Sequence, residues 1–436
     1  MRKTLLWLLV VLMVVTLFLP GCNKEGPGGA VKPDTEGEKD PSEKVTITLT
    51  SWRTEDIERT NALNAIFMDQ HKNIEVDFQP ISDQEYDGKL VASLQSGVGA
   101  DIIWLRSYDP GRIIYDGGYL SDLNDILPEL KNWPSSAVEA WSTDDGIIYG
   151  VPVAGVTHGV FYRKSIFDKY DLKEPETWDE FINVCQVLKD NGETVFAQGT
   201  VEGWPLYEVI YSGLGANFYG GEESRQKLMA GEMKLTDAPF VKAFEKAKEL
   251  QPFFPNGHEA IYYPDMQQMF GNGLAAMYIG GSWEISLFED SGLTDLAWFA
   301  PPVETKGDRL QYCFHVDMGI GINKNSKNYE AALEYLKWAT TQEFAQAFME
   351  QLPGFYSYTP GEYKLESPVA QKIIDAAADA DVTVRTVWQN MSRQDPSGNG
   401  MMEEALVRMY TENLPPADAA KLVQDALETW YEPFMN

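Results

Sequence analysis

Val45-Thr-Ile-Thr-Leu-Thr-Ser-Trp52 alternates apolar and polar residues and is rich in β-branched side chains, which predicts a β-strand. Apolar residues then recur at helical spacing over 56–72 and again over 84–96. Two more strand patterns follow these helices, at 74–81 and at 101–105. The last of them is almost wholly apolar, as in a sheet buried on both faces. The order strand, helix, strand, helix, strand predicts an α/β fold with an open, mostly parallel sheet.

The ends of the first and third predicted strands carry aromatic and charged side chains. Trp52 and Arg53 follow the first strand, and Tyr108 and Asp109 follow the third. Ligands of open α/β sheets bind outside the carboxyl ends of the strands, so these four residues are candidates for ligand contact. The alternatives are a Trp52 that closes the sheet edge in the core, and an Asp109 that only forms a turn before Pro110.

Helical patterns recur along the rest of the chain, with short strand-like runs between them. The helical patterns cover 177–190, 238–250, 329–352, 369–380, 401–413 and 417–430, and the strand-like runs lie at 195–198, 275–279 and 319–322. No fixed-period repeat occurs in the sequence, so a solenoid is not expected.

The N-terminus has the parts of a secretory signal. Arg2-Lys3 is basic, residues 4–22 are uncharged and mostly apolar, and Leu19-Pro-Gly-Cys22 ends the run. These last four residues resemble the bacterial lipobox, in which a diacylglyceryl group is attached to the Cys and the chain is cut just before it. We predict a signal peptide over 1–21 and lipid attachment at Cys22. An uncleaved anchor helix, or a plain signal with an incidental Cys, are the alternatives.

Residues 22–44 are rich in Gly, Pro and charged side chains and nearly devoid of apolar ones. Such a segment buries too little apolar surface to offset the entropy of ordering it, which predicts a flexible tether. The chain beyond it is longer than one typical domain, so two lobes are expected.

The whole chain carries a formal charge of −31. Phosphate backbones would repel so acidic a protein, so we expect no nucleic-acid partner. Cys185 and Cys313 lie in patterns typical of buried helix and strand, and two free thiols are the simplest prediction, with a disulfide as the alternative. The four His are scattered, and no Cys/His cluster has metal-ligand spacing, so neither a metal nor a cofactor is predicted.

Several further segments stand in an order typical of one known family. They are Lys89-Leu-Val-Ala-Ser-Leu-Gln-Ser-Gly97 with Gly99-Ala-Asp-Ile-Ile-Trp104, Tyr149-Gly-Val-Pro152 with Val160-Phe-Tyr-Arg-Lys164, Thr177-Trp-Asp-Glu-Phe181, Gly280-Gly-Ser-Trp283, and Gly321-Ile-Asn-Lys-Asn-Ser-Lys-Asn-Tyr-Glu-Ala-Ala-Leu-Glu-Tyr-Leu336. Behind the opening strand and the lipobox, this series resembles the solute-binding lipoproteins of bacterial ABC importers, in the branch that takes up sugars. The resemblance covers about residues 45–430.

The resemblance implies a two-lobed periplasmic-binding-protein fold with the ligand between the lobes. The N-terminal lobe would comprise 45–155 and 314–352, and the C-terminal lobe 156–313 and 353–436. Hinge bending would close the lobes on a carbohydrate, with an oligosaccharide as the expected ligand, and permease subunits of an ABC importer would recognise the closed state. It further implies a monomeric, non-enzymatic receptor outside the cytoplasm, held to the cell membrane through Cys22.

A sugar has flat C–H faces, on which aromatic rings stack, and a rim of hydroxyls, which carboxylates and amides bind. Trp283 is the strongest candidate for stacking because Gly280 and Gly281 allow a ligand to approach the backbone closely. Packing beneath the loop is its alternative. Trp204 stands in a similar setting. Further candidates near the lobe crossings are Asp317, which is alternatively a hinge residue, His158, which is alternatively structural, and Tyr356.

Three other functions are weighed against this one. An extracellular carbohydrate-active enzyme would need a catalytic pair, and a carboxylate pair arises by chance among 66 Asp and Glu. Neither G-x-S-x-G nor H-E-x-x-H occurs in the sequence. A receptor of the same fold for a peptide or metal chelate would need a dominant charged clamp, and a surface adhesin would need no closing cleft.

Overall fold

The strands form one mixed sheet, and the alternating and apolar runs of the sequence account for most of them. The computed structural model describes residues 44–387 and 389–435. In this part of the chain the strands are β1 Val45–Thr50, β2 Ile74–Phe78, β3 Ile102–Arg106, β4 Val151–Arg163, β5 Met277–Gly281, β6 Leu296–Phe299, β7 Gln311–Ile322, β8 Tyr356–Ser357 and β9 Asp381–Thr383. The main path of the sheet runs β2-β1-β3-β7-β4-β5.

The first three strands are parallel, as the strand-helix order predicted. β1 pairs with β2 in the register Val45↔Ile74 and with β3 in the register Leu49↔Ile102. Four of the five residues of β3 are buried, which agrees with a strand covered on both faces. Because the three strands point the same way, their carboxyl ends meet at one edge of the sheet.

The two longest strands, β4 and β7, are antiparallel and connect the two halves of the sheet. The first half of β4 pairs with β7 and, at Ala154 and Gly155, with β8. Its second half pairs instead with β5, from His158 to Tyr162, and with β6. The chain crossings expected at 155/156 and 313/314 therefore fall inside continuous strands.

Most predicted helices occur, with boundaries shifted by a few residues. They are α1 Ile57–Gln70, α2 Tyr86–Gln95, α3 Asp109–Asp116, α4 Ser135–Glu139, α5 Lys164–Lys169, α6 Trp178–Asp190, α7 Ala216–Tyr219, α8 Gly221–Met229, α9 Ala238–Glu249, α10 Tyr263–Gly271, α11 Ile285–Asp290, α12 Tyr329–Trp338, α13 Gln342–Gln351, α14 Pro368–Ala378, α15 Gly398–Thr411 and α16 Pro416–Leu427. Helix α6 starts with a capping box. The Thr177 side chain accepts from the Glu180 backbone N–H, and the Glu180 side chain accepts from the Thr177 backbone N–H.

Two features depart from the helical patterns. The single helix expected over 329–352 is two helices, because the Thr341 side chain caps the backbone N–H of Phe344 and starts α13 afresh. A π-helix, Pro205–Leu214, was not predicted, and all ten of its residues are buried. A segment buried on every side has no single apolar stripe that helical periodicity could detect.

Both described cysteines are free and buried, so the disulfide alternative is not realised. Burial raises the pKa of the Cys313 thiol to about 12 and that of the Cys185 thiol above its ordinary value. These thiols are therefore protonated and behave as small apolar groups. The predicted signal peptide, Cys22 and nearly all of the tether lie outside the described residues. Within those residues, every helix is too short or too polar to span a bilayer.

Candidate functional site

A cavity of about 310 Å³ lies at the carboxyl ends of β1 and β3. Trp52 and Arg53, which follow β1, line it, and so do Arg106 and Ser107 at the end of β3. Later segments also contribute to the lining, among them the π-helix, the turn after β5, strand β7 and helix α15. This is the edge of the sheet where the strand order predicted a ligand.

Three aromatic side chains, Trp204, Tyr263 and Trp283, form a continuous surface that we call the aromatic wall. The rings of Trp204 and Tyr263 meet edge to face with centroids 4.6 Å apart, and Trp204 lies 6.3 Å from Trp283. The indole Nε1–H of Trp283 donates to the Tyr263 hydroxyl at 2.8 Å. All three line the cavity. Such a surface can stack on the apolar face of a ligand.

The position of Trp283 depends on the glycine two residues before it. Trp283 lies in a short 3₁₀ turn, Ser282–Glu284, directly after β5. A Cβ atom on Gly281 would lie 2.0 Å from the Trp283 ring, so any larger residue there would displace the indole. The Ser282 hydroxyl, which accepts from the Thr157 backbone N–H at 3.1 Å, ties the same turn to β4.

Arg53 links the aromatic wall to the end of β1. Its Nη2 donates to the backbone carbonyl of Trp283 at 3.2 Å. Its remaining nitrogens meet Asp56 at 2.6 Å and Glu55 at 3.0 Å, and its guanidinium lies over the Phe355 ring. Although burial opposes its charge, the Asp56 and Glu55 carboxylates raise the pKa of Arg53.

The two other arginines that line the cavity also have carboxylate partners. Arg106 bonds Asp83 at 2.6 Å and meets Asp87 at 3.3 Å, while its guanidinium lies 4.7 Å from the centroid of Trp52. Arg385 bonds Glu208 at 2.7 Å, with both side chains buried. The cation–π contact holds Trp52 from one side, and its edge contact with Tyr86 at 5.6 Å holds it from another.

Carboxylates outnumber cations around the cavity. Six acidic side chains and three arginines line it. Burial raises the pKa of both Glu208 and Glu403 to about 7 and raises that of Asp317 as well. Glu403 accepts from the Asn399 amide at 2.7 Å, and Asp317 lies 3.9 Å from Arg385. The cavity thus presents an excess of hydrogen-bond acceptors to any ligand.

The structure brings five of the predicted site residues together around this cavity. They are Trp52, Arg53, Trp204, Trp283 and Asp317. Contact of these side chains with a ligand stays a prediction.

Four other predicted residues lie outside the cavity lining, for separate physical reasons. Tyr108 adopts a left-handed backbone conformation (φ 60°) before α3, and its ring lies 6.3 Å from that of His315. Asp109 begins α3 and faces Arg393 at 3.3 Å. His158 is buried behind the wall, edge to face with Trp283 at 5.5 Å. The Tyr356 hydroxyl donates to the Ala370 carbonyl at 2.9 Å, and its neighbour Phe355 lines the cavity instead.

Several lining residues were missed from the sequence, and only some had a local signal. Arg106 is the last residue of β3, one of the two strands whose ends were expected to meet a ligand, so the sequence could have identified it. Glu208 lies in the unpredicted π-helix. Arg385 and Glu403 come from a loop and a helix far along the chain, and nothing in their sequence surroundings places them near β1 and β3.

Residues 49–346 match the family of bacterial extracellular solute-binding proteins, and this match covers well over half of the chain. The chain belongs to this family. An uncharacterized ABC transporter extracellular-binding protein of Pyrococcus horikoshii is 27% identical over 302 residues, which are 66% of this chain and 69% of that protein. The multiple sugar-binding protein of Streptococcus mutans is 26% identical over 214 residues, 47% of this chain and 50% of its own length.

Solved structures share the fold. A solute-binding protein in complex with raffinose superimposes with a TM-score of 0.71 at 21% identity, covering 90% of this chain and 100% of that one. The predicted two-lobed α/β architecture is thereby confirmed. Members of the family are extracellular binding receptors, so this protein is located outside the cytoplasm.

Proposed function

We propose that this protein binds a carbohydrate in the cavity and delivers it to an ABC importer. The observation that carries the proposal is the aromatic wall, set beside the carboxylates Glu208, Asp317 and Glu403 in one cavity. A ring stacked on Trp204 or Trp283 would leave its hydroxyl rim free to donate hydrogen bonds to those carboxylates. Relatives named for multiple sugars and for mannitol support the same ligand class.

The charges of the cavity favour an uncharged sugar over a sugar acid. Arg53, Arg106 and Arg385 each contact a protein carboxylate within 3.0 Å. An anionic ligand would have to displace one of these partners, and it would also meet the remaining carboxylates. Sugar hydroxyls, by contrast, supply the donors that an acceptor-rich cavity needs.

We further propose that the two halves of the sheet are lobes that close on the ligand, with boundaries at the crossings of β4 and β7. Polar contacts already join the proposed lobes around the cavity. Arg59 makes two bonds of 2.7 Å to Asp290, and the Gln84 amide donates to Glu202 at 2.8 Å. A ligand that binds the closed state better than the open one would shift the population toward closure.

Lipid attachment at Cys22, after removal of residues 1–21, is the membrane anchor in this proposal. The body from Lys44 onward would then be tethered by the polar segment before it. Replacement of Cys22 by Ala should release the protein from the membrane fraction or block its maturation. Wild-type protein found wholly in the medium with a different N-terminal residue would contradict the anchor.

The test of the function is a thermal-shift screen of the soluble body against neutral mono- and oligosaccharides, matched sugar acids, peptides and amino acids. Ligands that bind only the folded state raise its melting temperature. We expect a neutral sugar to raise it most and the corresponding uronic acid to raise it least. A response confined to peptides or amino acids would contradict the proposal. Mass spectrometry of the recovered sugar should show it intact, and shortened products would favour a carbohydrate-active enzyme.

A further inference from the structure

Glu284 is a buried carboxylate directly after Trp283, and it does not line the cavity. Only 1% of its surface is exposed. Its Oε1 accepts from the hydroxyls of Tyr263 and Tyr278, and its Oε2 accepts from the Gln267 amide at 2.9 Å. Burial raises the pKa of Glu284, and these three hydrogen bonds act against the rise. Burying a carboxylate costs free energy, and these three hydrogen bonds offset part of that cost.

The hydrogen bonds of Glu284 continue into the aromatic wall. A tyrosine hydroxyl has one proton, and the Tyr263 proton goes to Glu284, because the other partner of this hydroxyl is the Trp283 indole N–H, which can only donate. The lone pairs of the Tyr263 oxygen are then free to accept the indole N–H of Trp283 at 2.8 Å. The direction of these hydrogen bonds is therefore set. The indole donates to the Tyr263 hydroxyl, the hydroxyl donates to the Glu284 carboxylate, and each bond polarises the next.

The rest of Trp283 is held through its backbone and its ring. Arg53 bonds its carbonyl at 3.2 Å, and the ring covers Gly281. The only polar atom of the side chain is Nε1, so the bond to Tyr263 is the contact that selects one orientation of the indole.

We infer that Glu284 is a positioning residue for ligand binding: through the Tyr263 hydroxyl it holds the indole of Trp283 in the orientation that completes the aromatic wall. The inference rests on the proposed function, since it assigns a role within the same site. Glu284 touches no ligand in this scheme.

The chain offers a matched pair of variants for the test. Tyr263 and Tyr278 both donate to Oε1 of Glu284, but only Tyr263 bonds Trp283 and lines the cavity. Tyr278 lies behind it, packed against Phe270 and Phe288. Tyr263→Phe and Tyr278→Phe therefore remove the same chemical group from the same carboxylate, and only the first breaks the bond to the indole.

The first measurement needs no ligand. In ¹H–¹⁵N spectra of protein labelled at the tryptophan indoles, the Trp283 resonance is assigned by its loss in Trp283→Phe. We expect that resonance to shift in Tyr263→Phe and in Glu284→Leu and to stay in place in Tyr278→Phe. Glu284→Gln, whose amide oxygen can still accept from Tyr263, should restore most of the wild-type shift. An unchanged position of the Trp283 indole resonance in Tyr263→Phe and Glu284→Leu would overturn the inference.

The second measurement is the calorimetric affinity for the best sugar from the screen. Tyr263→Phe and Glu284→Leu should weaken binding by roughly five- to tenfold, the effect of losing one hydrogen bond, and Tyr278→Phe by less than about twofold. Equal losses in Tyr263→Phe and Tyr278→Phe would show that Glu284 serves stability alone. If wild-type protein binds no sugar, the proposed function fails, while the indole spectra still decide whether Glu284 orients Trp283.

Discussion

At the scale of single residues, two tryptophans of the aromatic wall differ in how deeply they are buried. Trp283 is only 7% exposed and donates a hydrogen bond to Tyr263, whereas Trp204 is half-buried at the cavity surface. Trp283 is therefore packed largely against the protein, because its ring covers Gly281 at the end of β5.

Replacing each tryptophan by Ala should separate binding from stability. Trp204→Ala should weaken sugar affinity by about 1–3 kcal/mol, as expected for an aromatic anchor, with a smaller change in the free energy of unfolding. Trp283→Ala should weaken affinity too, and should cost about 3–5 kcal/mol of stability because it empties a buried site. Calorimetric titration and urea unfolding of the empty protein measure the two effects. Unchanged affinity in both variants would mean that the site lies elsewhere.

Glu403 should make stability depend on pH. Its pKa in the folded protein is about 7, against an ordinary value of 4.5. Between these values the folded protein holds a proton that the unfolded chain has released, so this residue makes stability fall as pH rises from about 4.5 to 7. Glu403→Gln removes the titration, so the stability of the variant relative to wild type should rise with pH across that window.

Urea unfolding of both proteins at several values between pH 4.5 and 8 measures this difference. The comparison between variants is needed because His158, whose pKa burial lowers to about 3 from 6.5, makes stability fall in the opposite direction, as pH drops below 6.5. Parallel curves for wild type and Glu403→Gln would contradict the raised pKa.

At the scale of elements, helix α2 contains one glycine and ends just before another. Gly88 lies inside the helix, and Gly97 follows its end with a φ of 74°. A Cβ at either position would meet no atom within 4 Å. The two positions therefore differ in backbone conformation and not in available space.

Alanine should have opposite effects at these two glycines. Gly88→Ala should raise the free energy of unfolding by about 0.5–1 kcal/mol, because it reduces the entropy of the unfolded chain and suits a helix. Gly97→Ala should lower it by about 1–2 kcal/mol, because the left-handed conformation is strained for any residue with a Cβ. Chemical denaturation gives both numbers, and changes of the same sign would refute the argument.

At the scale of the whole molecule, Arg393 bridges two parts of the chain that we assign to different lobes. It meets Asp109 at 3.3 Å and Asp144 at 3.6 Å. These contacts explain why Asp109, predicted to bind ligand, faces another segment instead. Contacts that form only on closure stabilise the closed state and should slow ligand release.

Arg393→Ala should raise the rate of sugar dissociation by up to about fivefold, because exposed ion pairs contribute roughly 1 kcal/mol or less. The association rate should change little, and the effect should shrink at high salt. Arg408→Ala is the control, since Arg408 is about as exposed and bonds only Glu404 and Glu412 within its own helix α15. Stopped-flow fluorescence measures both rates, and equal dissociation from the two variants would exclude Arg393 as a closing contact.

Local patterns determined much of this protein. Alternation over 45–52 and the apolar run at 101–105 predicted strands that occur, and their order predicted the parallel pairing. The edge of the sheet that holds the cavity followed from chain direction alone, and so did the roles of Trp52 and Arg53 as lining residues. Periodicity and strand order are readable because each depends on residues close together in the chain.

The tertiary structure decided which distant side chains share the cavity. Arg385, Glu403 and Glu208 reach it from separate segments, through packing that no local pattern encodes. It also decided orientation: the left-handed turn at Tyr108 and the start of α3 at Asp109 direct these side chains to other partners. The residue types that follow a strand in the sequence indicate which functional groups are present at that strand end. The direction of a side chain depends on backbone dihedrals and on the atoms packed around it, and these exist only once the chain has folded.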